Sequence, residues 1–178
     1  MVGFLRWVVF TLGLAVFVHL AAVFFFPTVV MSQIMRAVEA DAGTNAASYP
    51  EPVTPARVGL VQPSPDFLYV ACSYSLSINP VRVTAPVAEG YWSLGLYDGD
   101  TTNFFSLNGE QAGAEEVEII VTGPASKVSG VPQSAVIEAP TFSGLVLIRF
   151  VVPNAEALDA VDRLRRQVRC EPFDRTGT

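Results

Sequence analysis

The sequence predicts a mainly β protein: an antiparallel β-sandwich or barrel-like domain with a C-terminal helix, preceded by one N-terminal transmembrane helix. Three observations carry this. From Trp7 to Phe26 the chain reads WVVFTLGLAVFVHLAAVFFF, 20 residues without a charge, and an apolar helix of about 20 residues spans a bilayer core. Between Phe67 and Phe150, short apolar segments are punctuated by Gly, Pro and Asn-Gly, the pattern of strands in an antiparallel sheet. Beyond Asn154 the apolar residues switch to helical spacing.

The first element is expected to be an uncleaved anchor over residues 1–30, in contact with the lipid bilayer through residues 4–30. A secretory signal has a shorter apolar core, about 7–15 residues, and a small-x-small cleavage site. Here the apolar run continues into FFFPTVVM with no convincing site of that kind. Arg6 precedes the span and Arg36 follows it, so the charge bias across it is weak. The remaining chain is acidic with one lysine, Lys127. These features place the C-terminal domain in the periplasm, on a single pass through a bacterial inner membrane.

Residues 31–64 read as a helical section followed by a Pro-rich tether or strap. Met31, Ile34, Met35 and Val38 recur at three- and four-residue steps. Pro27 can kink or start this section and Gly43 can end it. The stretch TNAASYPEPVTPARVGLVQPSP then carries five prolines, which favours an extended conformation.

Residues 65–178 form the β-rich domain. FLYVACSYSLSI alternates, with Leu68, Val70, Cys72, Tyr74 and Leu76 on one face. PVRVTAP, GYWSLGLY, NFFSLNG, VEIIVTGP, SAVIEAP and GLVLIRFVV continue the series. In the closing helix Asn154 is the candidate N-cap, and Leu158, Val161, Leu164 and Val168 form an apolar stripe. Glu156 and Asp159 lie early, and Arg163, Arg165, Arg166 and Arg169 late, as the helix dipole favours. The arginines read as a solvated C-terminal face.

Composition excludes several chemistries. A net charge of −6 argues against nucleic acid as a partner. The one histidine, His19, lies in the predicted span, so the exported domain has neither a His-dependent triad nor a Cys/His zinc site. No phosphate-binding glycine loop or dinucleotide fingerprint occurs, and no cofactor is expected. Asp98 and Asp100, and the cluster Glu115, Glu116 and Glu118, leave paired carboxylates available. The residues after Asp100 do not continue a calcium loop, and no metal is expected.

The run DGDTTN after the strand GYWSLGLY has two readings. It can be a turn whose Asp, Thr and Asn side chains bond local backbone groups. It can instead be the polar rim of a ligand pocket, with Asp66, Tyr69, Asp98, Thr102 and Asn103 converging and Trp92, Phe104 and Phe105 as walls. Catalytic residues are not assigned. Cys72 and Cys170 can pair in an oxidising compartment, or remain two separate core thiols.

SPDFLYVACSYSLSINPVRVTAP, GYWSLGLYDGDTTNFFSLNG, VEIIVTGP, APTFSGLVLIRFVV and ALDAVDRLRRQVRCEPF, taken in order, resemble the domain of unknown function 1254 family. The resemblance rests on Asp66, Leu68 and Tyr69; Pro80 and Val81; Tyr91, Trp92 and Leu94; Asp98, Thr102 and Asn103; Gly123 and Pro124; Arg149; and Gln167. It spans roughly residues 60–173. Ser64-Pro65 stands where members often have Asn-Arg. The resemblance implies an exported bacterial envelope protein with no settled activity. Longer members carry a second β domain, so it also implies a separate envelope partner that supplies one. The expected function is therefore a membrane-anchored binding or complex-forming module. The alternatives are a carboxylate-dependent enzyme, or enzyme half completed by a partner chain, and a purely structural tether.

Overall fold

A computed structural model describes residues 2–53, 63–126, 128, 131–132 and 135–174. Lys127, Ser134 and tether residues 54–62, Pro55 included, lie outside the described residues.

The apolar N-terminus is one uninterrupted helix, α1 (Val2–Ala42), with Pro27 inside it. Its most apolar stretch is not buried by any other part of the chain. The helix ends where expected. Gly43 adopts φ +90° and its N–H bonds to the Glu39 carbonyl at 2.8 Å, a left-handed cap that glycine reaches without steric cost. The stripe of Met31, Ile34, Met35 and Val38 has a partner: Met31 is buried with Ala71 and Leu145, and the other three pack around them.

The next residues are pinned as well. Asn45 and Ser48 bond β1 (Phe67–Ser75) along its backbone, with Ser48 and Ala71 exchanging N–H···O bonds of 2.8 and 3.1 Å. The Asn45 side chain accepts from Ser75 N and donates to Ser75 O. The Tyr49 hydroxyl donates to the Val168 carbonyl at 2.6 Å. Residues 31–50 are thus a docked helix end followed by a strap along β1. Ordering a chain costs entropy, and here apolar burial and satisfied backbone groups offset it.

The strands continue with β2 (Val81–Pro86), β3 (Trp92–Asp98) and β4 (Asn103–Asn108). A single turn, α2 (Gly109–Ala112), precedes β5 (Glu116–Thr122), β6 (Val136–Glu138) and β7 (Ser143–Val151). Sheet I has the order β1-β7-β3-β4 and sheet II, with the last strand β8 (Arg169–Pro172), the order β6-β5-β2-β8. Both are four-stranded and neither closes, so the barrel-like alternative is set aside. One pairing departs from the antiparallel expectation: β5 and β6 run parallel. Val70, Val83, Leu94, Leu96, Val121 and Ile148, drawn from both sheets, meet in one buried core. The expected inward face of β1 is correct, but β1 is buried on both faces from Val70 to Tyr74 because α1 covers the other side.

The C-terminal helix is shorter than its periodicity suggests. Asn154 does cap a turn at Ala155–Ala157, accepting from Ala157 N at 2.9 Å. The following α3 (Leu158–Arg165) then stops, and the chain turns into β8, which pairs with β2 through Val83 and Cys170. Strand pairing and burial of Val168 and Cys170 override local helix propensity. Cys170 is bonded to Cys72 of β1, Cα to Cα 6.6 Å, so the disulfide joins the two sheets.

Arg165 corrects the solvated-arginine reading. Arg163, Arg166 and Arg169 are exposed, but Arg165 is 1% exposed. Its guanidinium donates to Asp162 at 2.6 Å, to the Pro50 carbonyl at 2.7 Å and to the Tyr69 carbonyl at 2.8 Å. A buried charge survives only when paired and hydrogen-bonded, and this one fastens α3, the strap and β1 together. A hydrogen bond from Arg166, reinforced by Arg165, holds the Asp162 carboxyl below its ordinary value.

Arg165→Met is expected to lower stability by about 2–4 kcal/mol, because the Pro50 and Tyr69 carbonyls lose their side-chain donor while Asp162 keeps only Arg166. Arg163→Met should stay within about 0.5 kcal/mol. Replacing both cysteines by alanine should cost about 4–5 kcal/mol, from the loop the disulfide closes. Urea unfolding of the full chain in detergent checks all three. The depressed Asp162 contributes stability that is present above the unfolded carboxylate value, about 4, and lost as pH falls through the lower folded value. Asp162→Asn should therefore make the acid limb of the stability curve shallower.

Candidate functional site

Two polar regions of sheet I hold the residues singled out from the sequence. The first is the β3–β4 hairpin. Asp98 is 6% exposed, and its Oδ1 accepts from Asp100 N at 3.0 Å and Thr102 N at 2.9 Å. The strand ends are closed by a bond from Asp98 N to Thr102 O at 3.0 Å. Asn103 donates to the carbonyls of Leu96 and Phe105 at 3.2 and 3.1 Å. The polar run therefore caps its own turn. Thr101 adopts φ +75°, a left-handed conformation that is a clear outlier for a β-branched residue.

The carboxylates of this turn are coupled. Burial, and the hydrogen bond it shares with Asp100, push the Asp98 carboxyl up, and the same hydrogen bond pulls Asp100 down. Behind the turn, the Tyr74 hydroxyl donates to the Tyr97 carbonyl at 2.9 Å, reaching from β1 across Gly144 of β7 to β3. Burial first, and the neighbouring Asp98 second, push Tyr74 up. A Cβ on Gly144 would collide with both the Tyr97 carbonyl and the Tyr74 hydroxyl, so this crossing requires glycine.

The second region is the outer face of sheet I. In β7, Ile148 and Phe150 point into the core, so Arg149 emerges on the opposite face, half-buried. Its cross-strand partners are Tyr69 of β1 and Ser93 of β3. Its Nη2 lies 3.4 Å from the Tyr97 hydroxyl. Tyr97 also packs beside the docked end of α1, and its ring leans over Gly95, where an added Cβ would sit 3.1 Å from it.

The five predicted ligand residues do not all converge. Asp98, Thr102 and Asn103 come together in the hairpin. Tyr69 sits beside Arg149, and its hydroxyl accepts from Ser64 N at 2.9 Å. Asp66 is exposed, at the start of β1, with its carbonyl accepting from Val152 N. The hairpin end is level with Gly144 and the Asp66 end with Val151, about 23 Å apart along β7 at 3.3 Å per residue. Trp92 is core, and Phe104 and Phe105 pack half-buried against that core. Among the described residues no group of three or more His, Cys, Asp or Glu could hold a metal. Sequence reasoning missed Tyr97 and Arg149 as neighbours. Strand alternation places both outward, but the β3–β7 pairing that joins them is not written in either segment.

A model of the family described as Protein of unknown function (DUF1254) matches residues 44–172. The chain belongs to the DUF1254 family. Its match begins at the strap, so the residues pinned against β1 are part of the DUF1254 domain. No curated protein matches this chain. Among solved structures, the VPA0106 protein from Vibrio parahaemolyticus is similar at 18% identity and a TM-score of 0.57, over 80% of this chain and 36% of that one. An uncharacterized protein from Burkholderia cenocepacia matches at 21% identity and a TM-score of 0.49, over 83% of this chain and 41% of that one. This chain thus spans well under half the length of either. The Vibrio likeness shows a shared fold.

Thr101→Gly is expected to raise stability by about 0.5–1 kcal/mol, since left-handed strain of about 1–2 kcal/mol is only partly offset by glycine entropy. Asp98→Ala should lose about 1–2 kcal/mol with its two backbone bonds. The raised Asp98 contributes stability that is complete below the unfolded value, about 4, and lost as pH rises through its folded value. Asp98→Asn keeps the acceptor oxygen without the charge, so it should gain on the wild type as pH increases. Thermal melts of the three variants from acid to neutral pH check these outcomes.

Proposed function

We propose that this DUF1254 protein is a single-pass, membrane-anchored module of the bacterial envelope, with its β-sandwich domain in the periplasm, that binds a partner or ligand without catalysing a reaction. One observation carries the reading: the exposed apolar helix runs without a break into the segment docked on sheet I. An anchor so joined holds the domain at the membrane. The apolar helix and the disulfide together point to an extracytoplasmic domain. The ligand surface in this reading is the outer face of sheet I, where Tyr69 and Asn103 accompany Arg149. Asp98 and Thr102 shape its hairpin, and Asp66 fixes its far end. An envelope protein that supplies a second β domain is the partner proposed, and the edge of β4, which pairs only with β3 among the described residues, is where such a domain could add.

A second reading is a carboxylate-dependent enzyme completed by a partner chain. The buried Asp98, with its carboxyl pushed up, is the observation that favours it. Its engagement with the turn's own backbone favours the binding module instead.

The test is fractionation of the full chain expressed in a bacterium. The protein should remain in membranes after an alkaline carbonate wash, carry an intact N-terminus, and have its domain digested when protease is added to spheroplasts. Recovery as a soluble periplasmic protein cleaved after the apolar run would end the anchored reading.

A further inference from the structure

Arg149, like Arg163 and Arg169, has no carboxylate partner among the described residues, but those two are exposed and Arg149 is half-buried. Arg82, Arg165 and Arg166 each lie within 4.0 Å of a carboxylate. Among the described residues Arg149 has none, and its one hydrogen bond is the 3.4 Å contact with the Tyr97 hydroxyl. A guanidinium has five N–H donors in a planar fork that matches a phosphate or carboxylate at two points. Here the residue is half-buried, with Tyr69 and Ser93 as its cross-strand neighbours and the Tyr97 hydroxyl taking one of its five donors.

The helix fixes where this face lies. Met31, buried against Ala71 and Leu145, is five residues beyond Phe26, which closes a 20-residue apolar stretch long enough to cross a bilayer core. At 1.5 Å per residue that is about 8 Å of helix. The headgroup layer on each side of a bilayer is roughly 5–8 Å deep. In the anchored reading the patch of sheet I around Ala71 and Leu145 is thereby held near headgroup level, and Tyr97, packed at that patch, bonds Arg149. With a net charge of −6, diffuse attraction to an anionic surface is not available, so recognition depends on a built contact.

We propose that Arg149 and the Tyr97 hydroxyl form a binding site for a phosphate-class oxyanion, supplied by the headgroup of an anionic lipid in the membrane that α1 enters. The proposal rests on the anchored reading above.

The full chain is reconstituted into nanodiscs of phosphatidylcholine with phosphatidylglycerol, re-extracted in mild detergent, and its retained lipid counted by native mass spectrometry. Phosphatidylglycerol retention should fall about fivefold or more in Arg149→Gln, and remain unchanged in Arg163→Gln, which alters an exposed arginine on α3. Tyr97→Phe, which removes only a hydroxyl, should weaken retention about twofold and serves if Arg149→Gln fails to fold. A second arm titrates glycerol phosphate into the detergent-solubilised protein. Arg149-dependent binding of glycerol phosphate without lipid retention would keep the oxyanion site and overturn the lipid source. Retention and binding that are both indifferent to Arg149 and Tyr97 would overturn the site. Carbonate extraction of the same samples reads the anchor separately: a wild-type chain that washes off the membrane sinks the anchored reading whatever Arg149 does.

Discussion

Strand β1 lies at the edge of sheet I, and an edge strand presents a row of N–H and C=O groups that need partners. How this chain satisfies that edge determines much of its architecture. The strap residues Asn45 and Ser48 bond its free side, and the Arg165 guanidinium takes the Tyr69 carbonyl beyond them. Because the strap must lie there, the preceding helix is brought down onto the outer face at Ala71. Because Arg165 must reach there, α3 is held against the same strand. The disulfide from Cys72 then ties this edge of one sheet to the last strand of the other. The N-terminal helix is thus connected to the domain through the residues that complete its edge.

Much of this was legible in the sequence where one local rule dominated. The uncharged run, the alternation of Leu68, Val70, Cys72 and Tyr74, the Gly43 stop and the Asn154 cap are each short-range signals, and each was readable. The stripe Met31, Ile34, Met35 and Val38 showed that a helix face sought burial, but not what would bury it. What could not be read was long-range. Arg165 resembles its exposed neighbours in sequence, and only the approach of Pro50 and Tyr69 makes it a buried hub. The late helix residues carried helical spacing as far as Val168, yet pairing with β2 drew the chain into a strand.

The candidate site shows the same division. The DGDTTN run was readable as turn chemistry because Asp, Thr and Asn bond nearby backbone, and they do. Whether it also met Asp66 and Tyr69 depended on strand register, which placed the two groups at opposite ends of β7. Arg149 and Tyr97 lie on strands separated by many residues, and their proximity is a product of the β3–β7 pairing.

The disulfide has a mechanical consequence. A pull on the N-terminal helix enters the domain through the strap and β1. Residues before Cys72 can be drawn out as their hydrogen bonds yield one by one, but the covalent link at Cys72 and Cys170 carries the load directly to the closing strand. Everything between those two cysteines, which includes both sheets' central strands, is bypassed by the force and cannot be unravelled by tension on that helix.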